Sequence, residues 1–287
     1  MEAIFKNDDF VEQYKVGERL TGSFALDLIQ RSGIVNESTQ DPLVVLDNAC
    51  GTGIVSSTLN RLLSENAKVN WQLTCGDFSQ TMLDYTKSRI DEEGWPNAQV
   101  KIVDAQETGL PTAHYTHIFT NFGLPICKRS DAQLGVIESV RMLRPGGLLG
   151  FTTWKRLDWV LLIKGVLEST PEKLYFPDVP EFLAIMQNGN WNDEAWIRSH
   201  LQDRGCEDIK VEAATKCLLT NIHDFFKSAM MLFPMAIRHF WTEEQLDKYE
   251  EYAKNAVWKY LDDKYGPDEL VETEYTAIVS TCRKSSD

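Results

Sequence analysis

Short apolar runs that end in an acid or a glycine turn alternate along this chain with longer stretches whose apolar residues recur three or four positions apart. Leu43-Val44-Val45-Leu46 stops at Asp47 and enters the turn Gly51-Thr52-Gly53, after which Val55, Leu59, Leu62 and Leu63 keep helical spacing. Residues 71–77 predict a second strand, 100–103 a third, 115–121 a fourth and 148–154 a fifth. Helices open between them at Gln80 and near Asp131, and Leu143-Arg144-Pro145-Gly146-Gly147 turns the chain into the fifth strand. A helix over 193–205, a sixth strand over 209–218 and a seventh over 276–282 complete the pattern. Strands alternating with helices predict an α/β fold, a Rossmann-like, seven-stranded doubly wound sheet.

The remaining segments predict a helical cap built from the N-terminus and two insertions. Leu20, Phe24, Ala25, Leu28 and Ile29 follow an amphipathic helical spacing. Residues 155–190 carry Leu157-Asp158-Trp159-Val160-Leu161-Leu162-Ile163, a proline-rich turn and Phe182-Leu183-Ala184-Ile185-Met186. Residues 221–267 carry Phe225, Phe226, Met230, Met231, Leu232, Phe233, Pro234 and Met235. Both insertions leave or rejoin the carboxyl edge of the sheet, where open α/β sheets bind ligands. Methionines and aromatics there suit an adaptable apolar wall, or simply pack the insertions onto the sheet. No low-complexity linker or internal repeat divides the chain. The reading is one domain, 1–287, with a core of 40–154, 191–220 and 268–287 and cap segments 1–35, 155–190 and 221–267.

Candidate chemistry gathers where the first three strands end. The glycine turn lets backbone approach a ligand closely, and the helix behind it offers free N–H groups. A dinucleotide fingerprint needs a third glycine where this chain has Ser56, and Asp47 would repel a pyrophosphate. An acid at that position suits a ligand carrying an ammonium and a sulfonium, which is S-adenosylmethionine. Asp77 falls 24 residues after Gly53, where a carboxylate accepts from ribose hydroxyls; alternatively it serves the start of a helix that Ser79 caps. Asp104-Ala105 ends the third strand, as an acceptor for an adenine amino group or as an ordinary turn. The end of the fourth strand, Asn121-Phe122-Gly123-Leu124, would face a transferring methyl.

The acid–Gly–Gly corner, Asp77, Asp104-Ala105 and Arg144-Pro145-Gly146-Gly147 match, in order and spacing, the motifs of class I S-adenosylmethionine-dependent methyltransferases, which residues 40–155 resemble. Val45-Leu46-Asp47-Asn48-Ala49-Cys50-Gly51, Leu73-Thr74-Cys75-Gly76-Asp77, Gly94-Trp95, His114-Tyr115-Thr116-His117 and Trp241-Thr242-Glu243-Glu244-Gln245 resemble one subgroup, the fungal natural-product methyltransferases that include bis-thiomethyltransferases. That subgroup resemblance runs nearly end to end. It implies S-adenosylmethionine as cofactor, S-adenosylhomocysteine as product and a small secondary metabolite as substrate, with a dithiol of the epidithiodiketopiperazine type, methylated on sulfur, as the leading expectation. Together with the strand-end reading, it gives a cofactor site of Tyr14, Thr21, Asp47, Ala49, Cys50, Gly51, Gly53, Asp77, Phe78, Met82, Asp104, Ala105 and Asn121. Substrate-pocket candidates are Phe122, Leu124, Trp154, Met231 and His239. In such enzymes an N-terminal helix pair folds over the cofactor, so Tyr14 covers the methyl donor or simply packs the pair, and Thr21 meets the donor's carboxylate. The segment Leu124-Pro125-Ile126-Cys127-Lys128-Arg129 departs from the subgroup pattern, so the resemblance carries the cofactor further than the substrate.

Composition narrows the class further. The chain has 287 residues, is 43% hydrophobic and carries a formal charge of −14, without a run of Lys or Arg. A negative field disfavours nucleic acid as substrate. No apolar stretch reaches membrane-spanning length, and Met1-Glu2-Ala3-Ile4 leads into an acidic segment, so a soluble, cytoplasmic protein is expected. The six cysteines include no C-x-x-C pair or Cys/His cluster, which argues against a metal site and a disulfide framework. Cys50 reads as a packing residue in the cofactor turn, Cys75 and Cys217 as core, and Cys127 as a loop thiol. His114 and His117 read as structural and His200 as exposed, while His223 and His239 are the histidines that the pocket could use. No catalytic residue is assigned. O- or N-methylation, a protein of this fold that binds S-adenosylmethionine structurally without methylating, and a nicotinamide oxidoreductase stay open as alternatives, as does the oligomeric state.

Overall fold

The computed structural model describes residues 8–37, 42–124, 133–187, 189–266 and 268–286, with the side chains of 8–16 outside the description. Seven strands form one sheet: β1 (Val44–Asn48), β2 (Gln72–Asp77), β3 (Ala98–Ile102), β4 (Tyr115–Asn121), β5 (Leu143–Leu157), β6 (Cys206–Thr220) and β7 (Val271–Lys284), in the order β3-β2-β1-β4-β5-β7-β6. Neighbours are parallel except at β7, which runs antiparallel to both β5 and β6. The central strands read as continuous apolar runs because helices cover both faces. The strand order reverses between β1 and β4, and in this register Asp47 stands between Cys75 and Phe119. Such a switch point opens a crevice at the carboxyl ends of the strands.

Between the strands and in the cap, the described residues include α2 (Ile54–Leu62), α3 (Glu65–Val69), α4 (Gln80–Glu93), α5 (Gln133–Met142), α6 (Asp158–Glu168), α7 (Val179–Met186), α8 (Glu194–Gln202) and α9 (Ile222–Phe240). They follow α1 (Asp8–Ser32) and precede α10 (Glu243–Tyr265). Their ends are marked in the sequence. Ser79 accepts from the Met82 N–H to start α4, and Gly94 closes it in the left-handed region. Asp178 with Glu181 and Thr242 with Gln245 form capping boxes for α7 and α10.

Two buried clusters lie on the sheet faces. One joins Leu28 of α1 and Leu59 of α2 to Val45, Trp71, Leu73 and Phe119; the other joins Leu46, Ile118, Leu149 and Phe151 to Val136 of α5 and Ile197 of α8. A third builds the cap, where Trp159, Phe182, Phe225, Phe233, Val257 and Leu261 meet Leu157 and Tyr275 of the sheet. Phe176 stacks on Phe233 with centroids 5.5 Å apart, and Trp159 meets Phe182 edge-on at 5.1 Å.

The structure departs from the sequence reading at several elements. The N-terminus is one helix of 25 residues over the described part, not a helix pair. Gly22 does not break α1; it lets the helix close on α2, where an added Cβ would meet Ile54 at 3.1 Å. The strands β5, β6 and β7 extend beyond the expected ranges because their ends carry the cap. Cys217 is exposed, since β6 is an edge strand with one face in solvent, and its thiol donates to Glu272 at 3.1 Å. His200 is buried rather than exposed, stacked on Trp196 with centroids 4.8 Å apart. The expected helix start at Asp131 and the segment from Pro125 through Cys127 to Arg129 lie outside the described residues.

Candidate active site at the carboxyl edge of the sheet

A cavity opens at the switch point between α1 and α9. Its first half is lined by Gly17, Leu20 and Thr21 of α1, by Ala49 and Gly51 after β1, by Asp77, Phe78 and Met82 after β2, and by Asn121, Phe122 and Gly123 after β4. Its second half is lined by Trp154 and Leu157 of β5, Trp159 of α6, Met186 of α7, Leu218 and Thr220 of β6, Tyr275 of β7, and Phe225, Ser228, Ala229, Met231, Leu232 and Met235 of α9.

The turn after β1 is held tightly. Ala49 and Gly51 have φ of 55° and 53°, the left-handed region that bulky residues avoid. The Cys50 N–H donates to the Gly76 carbonyl at 3.0 Å, and the Gly51 N–H to Asp77 Oδ2 at 2.9 Å. Asp77 Oδ1 accepts from the Ser79 N–H at 2.9 Å. Burial pushes the Asp77 carboxyl up from its ordinary value, while backbone donors from Ser79, Gly51 and Phe78 pull the other way. A carboxylate offers about four lone-pair sites, so beside these three backbone donors Asp77 keeps capacity for a further donor, which fits a ribose hydroxyl. Gly123 comes so near the turn that a Cβ there would lie 2.5 Å from the Ala49 Cβ.

Asp47 lies behind this turn. Its Oδ2 accepts from the Ser56 N–H at 3.1 Å and the Ser56 hydroxyl at 2.6 Å, so it satisfies the start of α2 from outside the helix. Burial raises its carboxyl to about 7 against those bonds. Arg89 of α4 clips the same region from the front. Its guanidinium donates to Glu18 of α1 at 3.0 Å, to the Thr52 carbonyl at 3.1 Å and to Glu93 at 2.6 Å.

The fourth strand ends in a strained residue. Phe122 has φ of 60°, costly for a bulky side chain, and is held there because its N–H donates to Thr152 Oγ1 at 3.0 Å. The Thr152 hydroxyl donates to Asn121 Oδ1 at 2.7 Å, and Asn121 Nδ2 donates to the Thr21 carbonyl at 3.1 Å. This conformation lays Phe122 on Trp154, with centroids 3.8 Å apart, and Phe24 meets both rings edge-on.

Of the residues expected in the site, the cavity wall contains Thr21, Ala49, Gly51, Asp77, Phe78, Met82, Asn121, Phe122, Trp154 and Met231. Others stand elsewhere. Asp47 and Cys50 are buried behind the turn, and Gly53 faces Thr86 and Trp95. Asp104 is exposed at the edge of the sheet, accepting from the Gln106 N–H at 2.9 Å, with Ala105 beside it. Leu124 is not a pocket residue. The turn at Phe122 sends it to the opposite face, where it is fully buried with Leu46, Ile118 and Val136. His239 is exposed one turn past Met235, because α9 has run beyond the cavity. His223 is exposed against Trp258. The Tyr14 side chain lies outside the described residues. In the second half, sequence reasoning named Trp154 and Met231 and offered the apolar residues of both insertions as a wall, but it did not name Leu218, Thr220, Ser228, Ala229 or Tyr275. Phe225, Ser228, Ala229, Leu232 and Met235 form a helical stripe that could have marked the inner face of α9.

This strand order and glycine turn, with a carboxylate at the end of β2, define a class I S-adenosylmethionine-dependent methyltransferase. A methyltransferase-domain family model matches residues 45–147. The chain is 39% identical over 284 residues to methyltransferase tpcH of Aspergillus fumigatus, covering 99% of each protein. It is 40% identical over 281 residues to acetylaranotin bis-thiomethyltransferase of Aspergillus terreus, covering 98% of this chain and 96% of that one. The solved structure of Haemonchus contortus phosphoethanolamine N-methyltransferase 2 with S-adenosyl-L-methionine shares the fold, with a TM-score of 0.56 at 17% identity, over 97% of this chain and 57% of that one. The chain belongs to the family of these fungal methyltransferases, and S-adenosylmethionine is its methyl donor. Among the described residues, no helix is long and apolar enough to cross a membrane, and no group of three or more His, Cys, Asp or Glu could hold a metal ion.

Proposed function

We propose that the protein methylates sulfur in a small, uncharged, largely apolar fungal metabolite, a dithiol of the reduced epidithiodiketopiperazine type. The observation that carries this reading is the division of the cavity. Asp77 and the glycine turn line the first half, and an apolar chamber of Trp154, Leu157, Met231, Leu232 and Met235 the second, with Phe122 stacked on Trp154 between them. In this reading Asp77 holds the ribose, Phe78 and Met82 flank the adenine, and Thr21 and Asn121 border the amino-acid end. Asp47, Cys50 and Gly53 act from behind by holding the turn, and Asp104 and Ala105 meet the adenine only from the rim.

S-adenosylmethionine supplies an electrophilic methyl group on a sulfonium. The protein's own task is alignment and exclusion of water. Orientation alone is worth roughly 7–11 kcal/mol in favourable cases. A thiol with pKa about 8.5 is partly ionised near neutral pH, whereas an alcohol needs a base to take its proton. Among the described lining residues, Asp77 is the one carboxylate, and it belongs to the cofactor end. The 40% identity to a bis-thiomethyltransferase supports the thiol over oxygen or nitrogen. The same reading makes the chain a single methyltransferase domain with its cap, working in the cytosol, where thiols stay reduced, and with neither nucleic acid nor membrane as partner.

The test is turnover of a matched panel of dithiol, phenol and amine acceptors with S-adenosylmethionine, followed by mass spectrometry. Methylated dithiol is the expected product. Turnover confined to phenols or amines would refute the thiol assignment.

A further inference from the structure

The roof of the cavity holds a buried hydroxyl with nothing to bond. Thr220 ends β6, is 5% exposed and lines the cavity, and its Oγ1 has no hydrogen-bond partner. Thr120 and Ser280 also carry unpartnered hydroxyls, but neither lines the cavity. Among the described residues, Thr220 is the one that combines an unpartnered buried polar atom with a place in the cavity wall. The same half of the cavity is lined by Leu218 on the same strand and by Phe225 and Leu232 on α9, with Ser228 and Tyr275 as its further polar side chains. Tyr275 is already engaged by the Thr273 hydroxyl at 3.4 Å, and burial pushes its phenol above the ordinary value, so it stays neutral.

A buried hydroxyl without a partner is unfavourable until something pairs with it. Threonine is β-branched and holds few rotamers, so its hydroxyl direction is restricted. Apolar pockets fix a ligand's orientation through a few such polar groups. The described lining residues of this half carry no formal charge, so a charged ligand group would lack a counter-ion there. A neutral carbonyl or amide fits.

We infer that Thr220 positions the acceptor: its hydroxyl donates to a carbonyl of an uncharged amide ring that carries the reacting thiol, and so turns that thiol toward the cofactor end. This rests on the thiol reading of the site. It adds which atom of the protein reads the acceptor's skeleton and which chemistry of that skeleton is read.

The experiment compares the unaltered enzyme, Thr220→Val and Thr220→Ser on two acceptors of similar size: a dithiol on a ring containing amides, and a cyclohexane dithiol without carbonyls. For the amide-ring dithiol, Thr220→Val raises KM about tenfold, the effect of one lost hydrogen bond, and Thr220→Ser restores it. The cyclohexane dithiol shows no such difference, and S-adenosylhomocysteine binds all three proteins equally by calorimetry. Ligand-free Thr220→Val melts no lower than the unaltered protein, because no internal bond is lost. A lower Tm would mean that the hydroxyl has a partner inside the protein and would overturn the assignment. So would equal KM values for the valine variant, or a loss shared by both acceptors. Failure of the unaltered enzyme to methylate either dithiol would overturn the thiol reading and this assignment with it.

Discussion

Two aspartates one strand apart do different work at the residue scale. Both end strands at the same sheet edge, and both were expected to face the cofactor. Asp77 reaches the cavity, while Asp47 is turned back onto Ser56 at the start of α2. The serine that replaces a third glycine is therefore the partner of the acid ahead of it, which spacing alone did not reveal. Asp77→Ala should weaken S-adenosylhomocysteine binding by about 1.5–3 kcal/mol, the range for a hydrogen bond to a charged group. It should also lower Tm, because the Gly51 and Ser79 N–H groups lose their acceptor. Isothermal titration of folded variant and parent reads the first effect, and unchanged affinity would remove Asp77 from the ribose role. Phe122 shows the same limit of sequence reading. Its place in the pocket was expected, but its left-handed backbone, which also sends Leu124 to the opposite face, was not visible.

At the scale of elements, α1 is the part of the cap whose attachment can be named. Glu18 and Arg89 are both largely buried in their pairing, with side chains 17% and 14% exposed, and Arg89 also holds the Thr52 carbonyl of the cofactor turn. One guanidinium thus ties α1, α4 and the turn together. Breaking such a pair leaves a partly buried carboxylate uncompensated. Arg89→Met should lower stability by about 2 kcal/mol and weaken S-adenosylhomocysteine binding several-fold, with faster amide exchange over residues 17–25. Native exchange protection over α1 would separate the clip from the site. The other long cap helix, α9, was legible as an apolar insertion that walls the pocket or packs on the sheet, but which of its residues reach the cavity was not. Helical spacing shows which residues share a face, whereas the length of helix that overlies the cavity depends on where β6 delivers it. His239 fails for that reason: it stands beyond the cavity's end.

For the whole molecule, two half-buried carboxylates and one fully buried one set opposing pH dependences. Arg141 and the Thr108 donors hold Glu138 down at about 2, and His117 and Arg283 hold Glu37 at about 2, so their stabilisation is present above about 4.5 and is lost as pH falls toward 2. Asp47 works in the other direction. Its carboxyl is raised to about 7 from 3.8, so the folded state holds a proton that the unfolded chain has released, and stability declines as pH rises through that window. Tm should therefore peak near pH 4.5–5 and fall by roughly 5 °C toward pH 7.5. Asp47→Asn should flatten the neutral side of the profile while leaving the acid side, as melting curves from pH 3 to 8 would show. An unchanged neutral slope would assign the decline to another group.

The sequence by itself determined the sheet, its seven strands, the glycine turn and the class of cofactor. These depend on local periodicity and on acids that follow strands directly, so the signal lies within a few neighbouring residues. The subgroup was legible too, in segments scattered along most of the chain. Tertiary structure decided which of those acids faces the cavity, which side of the sheet receives Leu124, and how β5, β6 and β7 extend to bring Trp154, Thr220 and Tyr275 beneath α9. Several of these residues come from distant segments of the chain, as where Trp154 of β5 lies against Tyr275 of β7. Their geometry comes from strand twist, helix length and one strained φ angle, and no local pattern in the chain encodes where such elements meet.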